Sequence, residues 1–325
     1  QTATTRLNNM KTILNLHRRL LSVLTACLLL SLHIHSILAQ AALRLPPGVE
    51  RITSVEGITE YSLPNGLRVL LFPDPSRPII TVNITYKVGS RHEGYGEKGL
   101  AHLLEHLVFK GTRQHSCEAL KRAIEGVGGS LNGFTAEEFT CYMVKVPSRH
   151  ARLALRILAE MVSAPKLSPH DFHKEREVIL EEIRTYDDSP SQSVHDLFSQ
   201  LLWPNHPLGM VLSGTITSVR GITHPEVVRY WRQMYHPRNV LISAAGALDP
   251  DTMGHDVRRL FVAPRGRAVP RFARAPRPRR GFQVKVQQKS TEQAYLCLGT
   301  YALPRTHPAR FALEVLHVLL GANMS

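Results

Sequence analysis

Gly99–Thr112 reads GLAHLLEHLVFKGT, a greasy run that carries two histidines and a glutamate at H-x-x-E-H spacing. Its apolar residues predict a helix over Leu100–Phe109. On a helix, residues three and four apart share a face, so His102, Glu105 and His106 project together. The remaining residues, Leu100, Ala101, Leu103, Leu104, Leu107, Val108 and Phe109, leave no polar side, which is the pattern of a buried helix.

Burying two imidazoles and a carboxylate without partners costs several kcal/mol. A cation held by neutral imidazole nitrogens offsets that cost. Zinc suits the set, because histidine nitrogens at i and i+4 can occupy two corners of a tetrahedron. Glu105, beside them and not itself a ligand, can take a proton from water polarised by the metal. This order inverts the commoner H-E-x-x-H and is itself a protease motif. The competing reading is a core helix whose histidines and glutamate satisfy one another, and a third ligand elsewhere would favour the metal.

Candidates for that ligand lie in Asp171–Tyr186, DFHKEREVILEEIRTY, which holds four glutamates. Ser168-Pro169 with Asp171 is a helix start, a capping serine followed by proline at the first helical position. At about 100° per residue, Glu175 and Glu182 fall within roughly 20° of each other, among Val178, Ile179, Ile183 and Tyr186. Glu177 and Glu181 fall on the face of His173, Lys174 and Arg184, where solvated pairing explains them. An inward Glu182 would complete a His-His-Glu set that leaves the fourth position to water. Glu175, on the same stripe, would support a ligand histidine or balance the site's charge. The alternative is that both glutamates pair with buried arginines.

Outward from this pair of helices, Gly57–Phe72 reads as two short strands about the turn Pro64-Asn65-Gly66. Ile79–Val88 is a β-branched strand, and LNGFTAEEFTCYMVKV after Gly128-Gly129-Ser130 is a strand pair. Cys117–Gly126, Arg152–Ser163 and Pro225–Met234 are helical patterns, the last preceding the strand NVLISAAGAL. Strands before and between helices, without strict βαβ alternation, predict an α+β fold with helices packed on a mostly antiparallel sheet.

At 325 residues the chain has room for about two domains. The formal charge of +14 would suggest nucleic acid, but it sits in two places. One is residues 1–41, with no acid; the other is Val257–Arg280, with nine arginines and no acid. The rest is close to neutral. Residues 263–280 are rich in proline and arginine and lack interleaved aromatics beyond Phe272, so they read as a solvated linker rather than a nucleic-acid arm.

Residues 1–41 read as an extension and export signal: a basic start from Met10, an apolar run over 20–38, and the A-x-A pattern Ala39-Gln40-Ala41. The expected location is periplasmic or secreted. A membrane enters only if the apolar segment is retained as an anchor or Cys27 is lipidated. Loss of the signal leaves Cys117, Cys141 and Cys297, too few for a disulfide framework. The catalytic unit is then expected over 42–262. Residues 281–325 read as the incomplete start of a second unit, with a strand in QAYLCLGTYAL and a helix in RFALEVLHVLLG.

Several blocks in order resemble the pitrilysin and insulin-degrading enzyme family of zinc peptidases, which includes the mitochondrial processing peptidase, in its shorter bacterial exported form. They are VGSRHE, GLAHLLEHLVFKGT, GGSLNGFTAEEFTCYMV, EREVILEEI, HPLG, SGTITSV, YHPRNVLISAAGALD and LEVLHVLLGANMS. The resemblance implies one zinc per chain on His102, His106 and Glu182, with Glu105 as general base and Glu175 as the supporting catalytic glutamate. It also implies an extended peptide adding to the edge strand at Asn132, Gly133, Phe134 and Thr135 by main-chain hydrogen bonds. Gly133 stands where many members have alanine. Two homologous halves closing like a clamshell would limit substrates to short or unfolded chains. The residues of the second half that contact substrate in the family lie beyond Ser325, so the resemblance also admits a zinc-binding subunit that needs a homologous partner or a second copy. No nucleic-acid partner is implied.

Overall fold

The computed structural model describes residues 47–263, 266, 272–276, 281–290 and 292–322. The export segment expected at 1–41 and most of the basic linker lie outside the described residues.

Alternation along the strands builds one sheet of seven: β1 (Glu50–Val55), β2 (Ile58–Ser62), β3 (Arg68–Pro73), β4 (Ile79–Tyr86), β5 (Ser130–Thr135), β6 (Thr140–Pro147) and β7 (Val240–Gly246). Their order is β1-β2-β3-β7-β4-β6-β5. All neighbours are antiparallel except β3 and β7. The chain has the mixed α+β architecture expected. In β4, Ile80, Val82, Ile84 and Tyr86 turn to the helix-covered face at 0–3% exposure, and the intervening residues are half-buried. β6 repeats this with Tyr142, Val144 and Val146. The turn at Pro64-Asn65-Gly66 joins β2 to β3, with Gly66 at φ +85°.

The helices are α1 (Leu100–Val108), α2 (Cys117–Glu125), α3 (Ala151–Ser163), α4 (Pro169–Asp187), α5 (Pro190–Leu202), α6 (Ile216–Gly221), α7 (His224–Met234), α8 (Pro250–Leu260) and α9 (Arg310–His317). α3 lies against β4 and β6 and carries α8 on its flank, whereas α1 wedges between β5 and α4. Leu103, Leu104 and Leu107 of α1 are at most 1% exposed. Each is worth roughly 1.5–3 kcal/mol of apolar transfer, enough to hold the helix where its polar face is needed. Ser168 caps α4 as the sequence predicts, its Oγ accepting from the Asp171 amide at 3.1 Å.

Two expectations change. No strand forms over residues 293–303, which join no ladder among the described residues, and Leu296 and Leu298 remain 90% and 81% exposed. An apolar, β-prone run becomes a strand only when a neighbour takes its backbone groups. The segment instead lines a trough of about 940 Å³ against α5, with Tyr301 donating to the Leu202 carbonyl at 2.6 Å. The helix expected after it is present as α9. Within the linker, residues 272–276 are described, and their start is anchored: the Arg91 guanidinium lies 3.8 Å from the Phe272 ring and donates to the Ala273 carbonyl at 3.0 Å. No helix among the described residues is long and apolar enough to cross a membrane.

Candidate metal centre

α1 presents His102, Glu105 and His106 on its one polar face, toward α4. The two imidazole rings lie 4.7 Å apart and nearly perpendicular. From α4, the Glu182 Oε2 approaches His102 Nε2 at 4.0 Å and His106 Nε2 at 3.8 Å. One ligand atom from each of the three residues lies within 4.8 Å of the others. Separations of 3.8–4.0 Å are too long for hydrogen bonds, yet they suit ligands sharing an ion about 2 Å from each. Glu182 corrects one detail of the sequence reading. Its side chain is 47% exposed, so it stands at the open rim of the site rather than inside the protein. A face angle gives direction on a helix and says nothing of how deep the neighbouring elements cover it.

Glu175 occupies the closed side. It is 2% exposed; its Oε2 lies 3.3 Å from His106 Nδ1 and its Oε1 2.8 Å from Lys110 Nζ. A proton on Nδ1 shared with this carboxylate leaves the lone pair of His106 Nε2 directed at the shared space. Glu175 thus touches a candidate ligand histidine and not the space itself, which gives it a positioning place rather than a catalytic one. Lys110 neutralises it, one turn beyond His106. Burial and the neighbouring His106 push His102 down to about 4, so its ring is neutral, the state in which imidazole ligates. His102 Nδ1 is buried and has no hydrogen-bond partner among the described residues. Two imidazoles and a carboxylate converging in this way are the donor set of a zinc site with an open position, so the residues fit the metal.

Glu105 is 8% exposed, and burial pushes its carboxyl up, against the pull of a hydrogen bond from Thr135. That bond is short: the Thr135 hydroxyl donates to Glu105 Oε2 at 2.7 Å. Thr135 closes β5, the last strand of the sheet, so the edge strand expected to receive a peptide also holds the general-base candidate. Along that edge the Gly133 amide is taken by the Asn132 side chain at 2.9 Å, and Phe134 is exposed and packs edge-on to Phe139. A Cβ on Gly133 would meet the Phe109 ring at 2.9 Å, so alanine here would require the ring to move. Beneath the site, Tyr142 and Tyr235 share a hydroxyl hydrogen bond of 2.9 Å, and Tyr86 stacks on Tyr235.

Sequence reasoning did not find the contacts of Lys110 or the bond from Thr135 to Glu105. Helical spacing from His106 is a signal for Lys110; nothing local marks the Thr135 bond, which joins a strand to a helix.

The sequence model for Insulinase (Peptidase family M16) matches residues 68–216, and that for the Peptidase M16 inactive domain matches 221–325. The chain belongs to the M16 peptidase family. This M16 chain is 35% identical over 293 residues to an uncharacterized zinc protease of Streptomyces coelicolor, covering 88% of itself and 64% of that relative. It is 34% identical over 270 residues to the uncharacterized zinc protease YmxG of Bacillus subtilis, covering 82% and 65%. It therefore spans just under two thirds of these relatives. A protease from Helicobacter pylori superposes with a TM-score of 0.65 at 27% identity, over 67% of this chain and 54% of that one. Pitrilysin superposes at 0.60 and 20% identity, over 67% and 24%, and shares the fold.

Proposed function

We propose that this M16 chain carries the metal-bearing half of a zinc endopeptidase acting on short or unfolded polypeptides. The observation that carries the reading is the convergence of His102, His106 and Glu182 beside a glutamate, Glu105, held by the edge strand. When bound, zinc would act as a Lewis acid, lowering the pKa of water and polarising a peptide carbonyl. His102, His106 and Glu182 would hold it. The remaining work falls to the chain itself. Glu105, with Oε2 occupied by the Thr135 hydroxyl, keeps its other oxygen to accept a proton from water and return it to the leaving amine. β5 offers its outer edge for an extended peptide, and the Asn132 side chain must yield the Gly133 amide to it.

Glu105→Gln tests this directly. The variant should keep stoichiometric zinc and lose hydrolysis of an unstructured peptide; retained hydrolysis would sink the base assignment. A second reading, a zinc-binding subunit dependent on a homologous partner, draws support from Leu296 and Leu298, apolar side chains left 90% and 81% exposed. Cleavage by the chain alone, compared with cleavage after adding a homologous partner chain, separates the two. Export remains a proposal resting on residues 10–41, checked by N-terminal sequencing of the mature protein.

A further inference from the structure

The helix carrying His102, Glu105 and His106 has no capping side chain of its own. Its N-cap is Gly99, at φ +93°, where a Cβ would come within 2.5 Å of the Ser213 carbonyl oxygen and 2.8 Å of Val219 Cγ2. This left-handed backbone and close approach exclude the serine, threonine or aspartate that would ordinarily accept from the first turn.

The acceptor comes from six residues upstream. Glu93 Oε2 accepts from the Gly99 amide at 3.2 Å, and Oε1 from the Ala101 amide at 2.7 Å. Its side chain is fully buried, with Lys98 Nζ 3.9 Å away. Lys98 is itself held by the carbonyls of Ser90 at 2.9 Å and Glu93 at 3.4 Å. A carboxylate buried this deeply is costly unless its acceptors are used, and the exposed amides at a helix N-terminus are a favourable use for it. Burial pushes the Glu93 carboxyl up, against the pull of the two amides and Lys98; glutamine would keep one acceptor oxygen, for the Ala101 amide, and place an NH2 donor opposite the Gly99 amide.

The consequence falls on His102, the residue after Ala101. His106 is steadied from behind by Glu175, whereas His102 Nδ1 has no partner among the described residues. The His102 ring therefore depends for its placement on the backbone beneath it. We propose that Glu93 is a positioning residue for the metal site: by capping the helix from outside, it fixes the first turn and aims His102 Nε2 at the space shared with Glu182. This rests on the zinc reading of the site.

The test pairs a zinc competition titration with amide hydrogen exchange on the full chain. Glu93→Ala should speed exchange at Ala101 by about 5- to 30-fold, the range expected for loss of a cap. It should weaken zinc by about tenfold or more, as for other residues that orient a ligand. Glu93→Gln should restore most of both. Leu120→Ala, in the core of α2, should destabilise the protein without changing zinc affinity. Unchanged zinc affinity in folded Glu93→Ala, or an equal loss in Leu120→Ala, overturns the proposal. Should Glu93→Ala not fold, Glu93→Gln carries the comparison: protection kept at Ala101 and lowered at Gly99 supports the cap, and no change at Gly99 overturns it. If the wild type itself binds no zinc, the zinc reading fails, while unaltered Ala101 exchange in folded Glu93→Ala would separately refute the cap.

Discussion

Replacing Glu175 by glutamine separates the charge behind the metal centre from its hydrogen bond. The amide is nearly isosteric in a site where Glu175 is 2% exposed, so packing is unchanged. Its carbonyl oxygen can still accept from His106 Nδ1, now 3.3 Å from Oε2, which preserves the tautomer that points Nε2 at the metal. What disappears is one negative charge. Lys110, 2.8 Å from Oε1, loses its counter-ion, but its side chain is 34% exposed and can turn to water. Folding stability should therefore fall by only about 1 kcal/mol, as for a partly exposed pair. The metal feels the loss more, because the carboxylate both raises the basicity of His106 and offsets the cation's charge. Partners of ligand histidines are worth about 10- to 100-fold in metal affinity, or roughly 1.4–2.7 kcal/mol. Glu175→Leu removes the acceptor as well and should exceed 100-fold (roughly the upper limit of that range). Zinc competition against a chelator measures both, with thermal melts of the apo variants as controls. Affinity within twofold of wild type in Glu175→Gln would refute the argument. So would equal losses in the two variants, since the hydrogen bond would then contribute nothing.

Two further outcomes follow from the contacts around the site. Thr135→Val removes the donor to Glu105 Oε2 while keeping the side-chain shape; hydrolysis should fall by about tenfold or more, with zinc affinity unchanged and Thr135→Ser largely restoring it. Equal loss in Thr135→Ser and Thr135→Val would refute it. At alkaline pH, burial raises Tyr86, Tyr142, Tyr230 and Tyr235 well above the ordinary phenol value. The folded state then binds more protons than the unfolded one above pH ~10, so stability falls as pH rises, by about 1.4 kcal/mol per pH unit for each tyrosine. Tyrosinate absorbance from these four should appear together with unfolding; a gradual rise in the still-folded protein would show that they are not sealed from water.

Periodicity over a few residues carried the local part of this protein. The shared face of His102, Glu105 and His106, the common stripe of Glu175 and Glu182, and the Ser168 cap are consequences of 3.6 residues per turn and of backbone amides needing acceptors. The β-branched run of β4 likewise belongs to a strand, and its alternate residues Ile80, Val82, Ile84 and Tyr86 form part of the core. Only the tertiary structure decided the parts that join distant segments. β3 pairs in parallel with β7, Thr135 reaches from a sheet edge to Glu105, Ser213 crowds Gly99 so that Glu93 must cap the metal helix, and Glu182 stands at a rim instead of a core. The strand expected over residues 293–303 fails for the same reason: alternation prepares a segment for a sheet, but a ladder exists only where a second backbone arrives to share it.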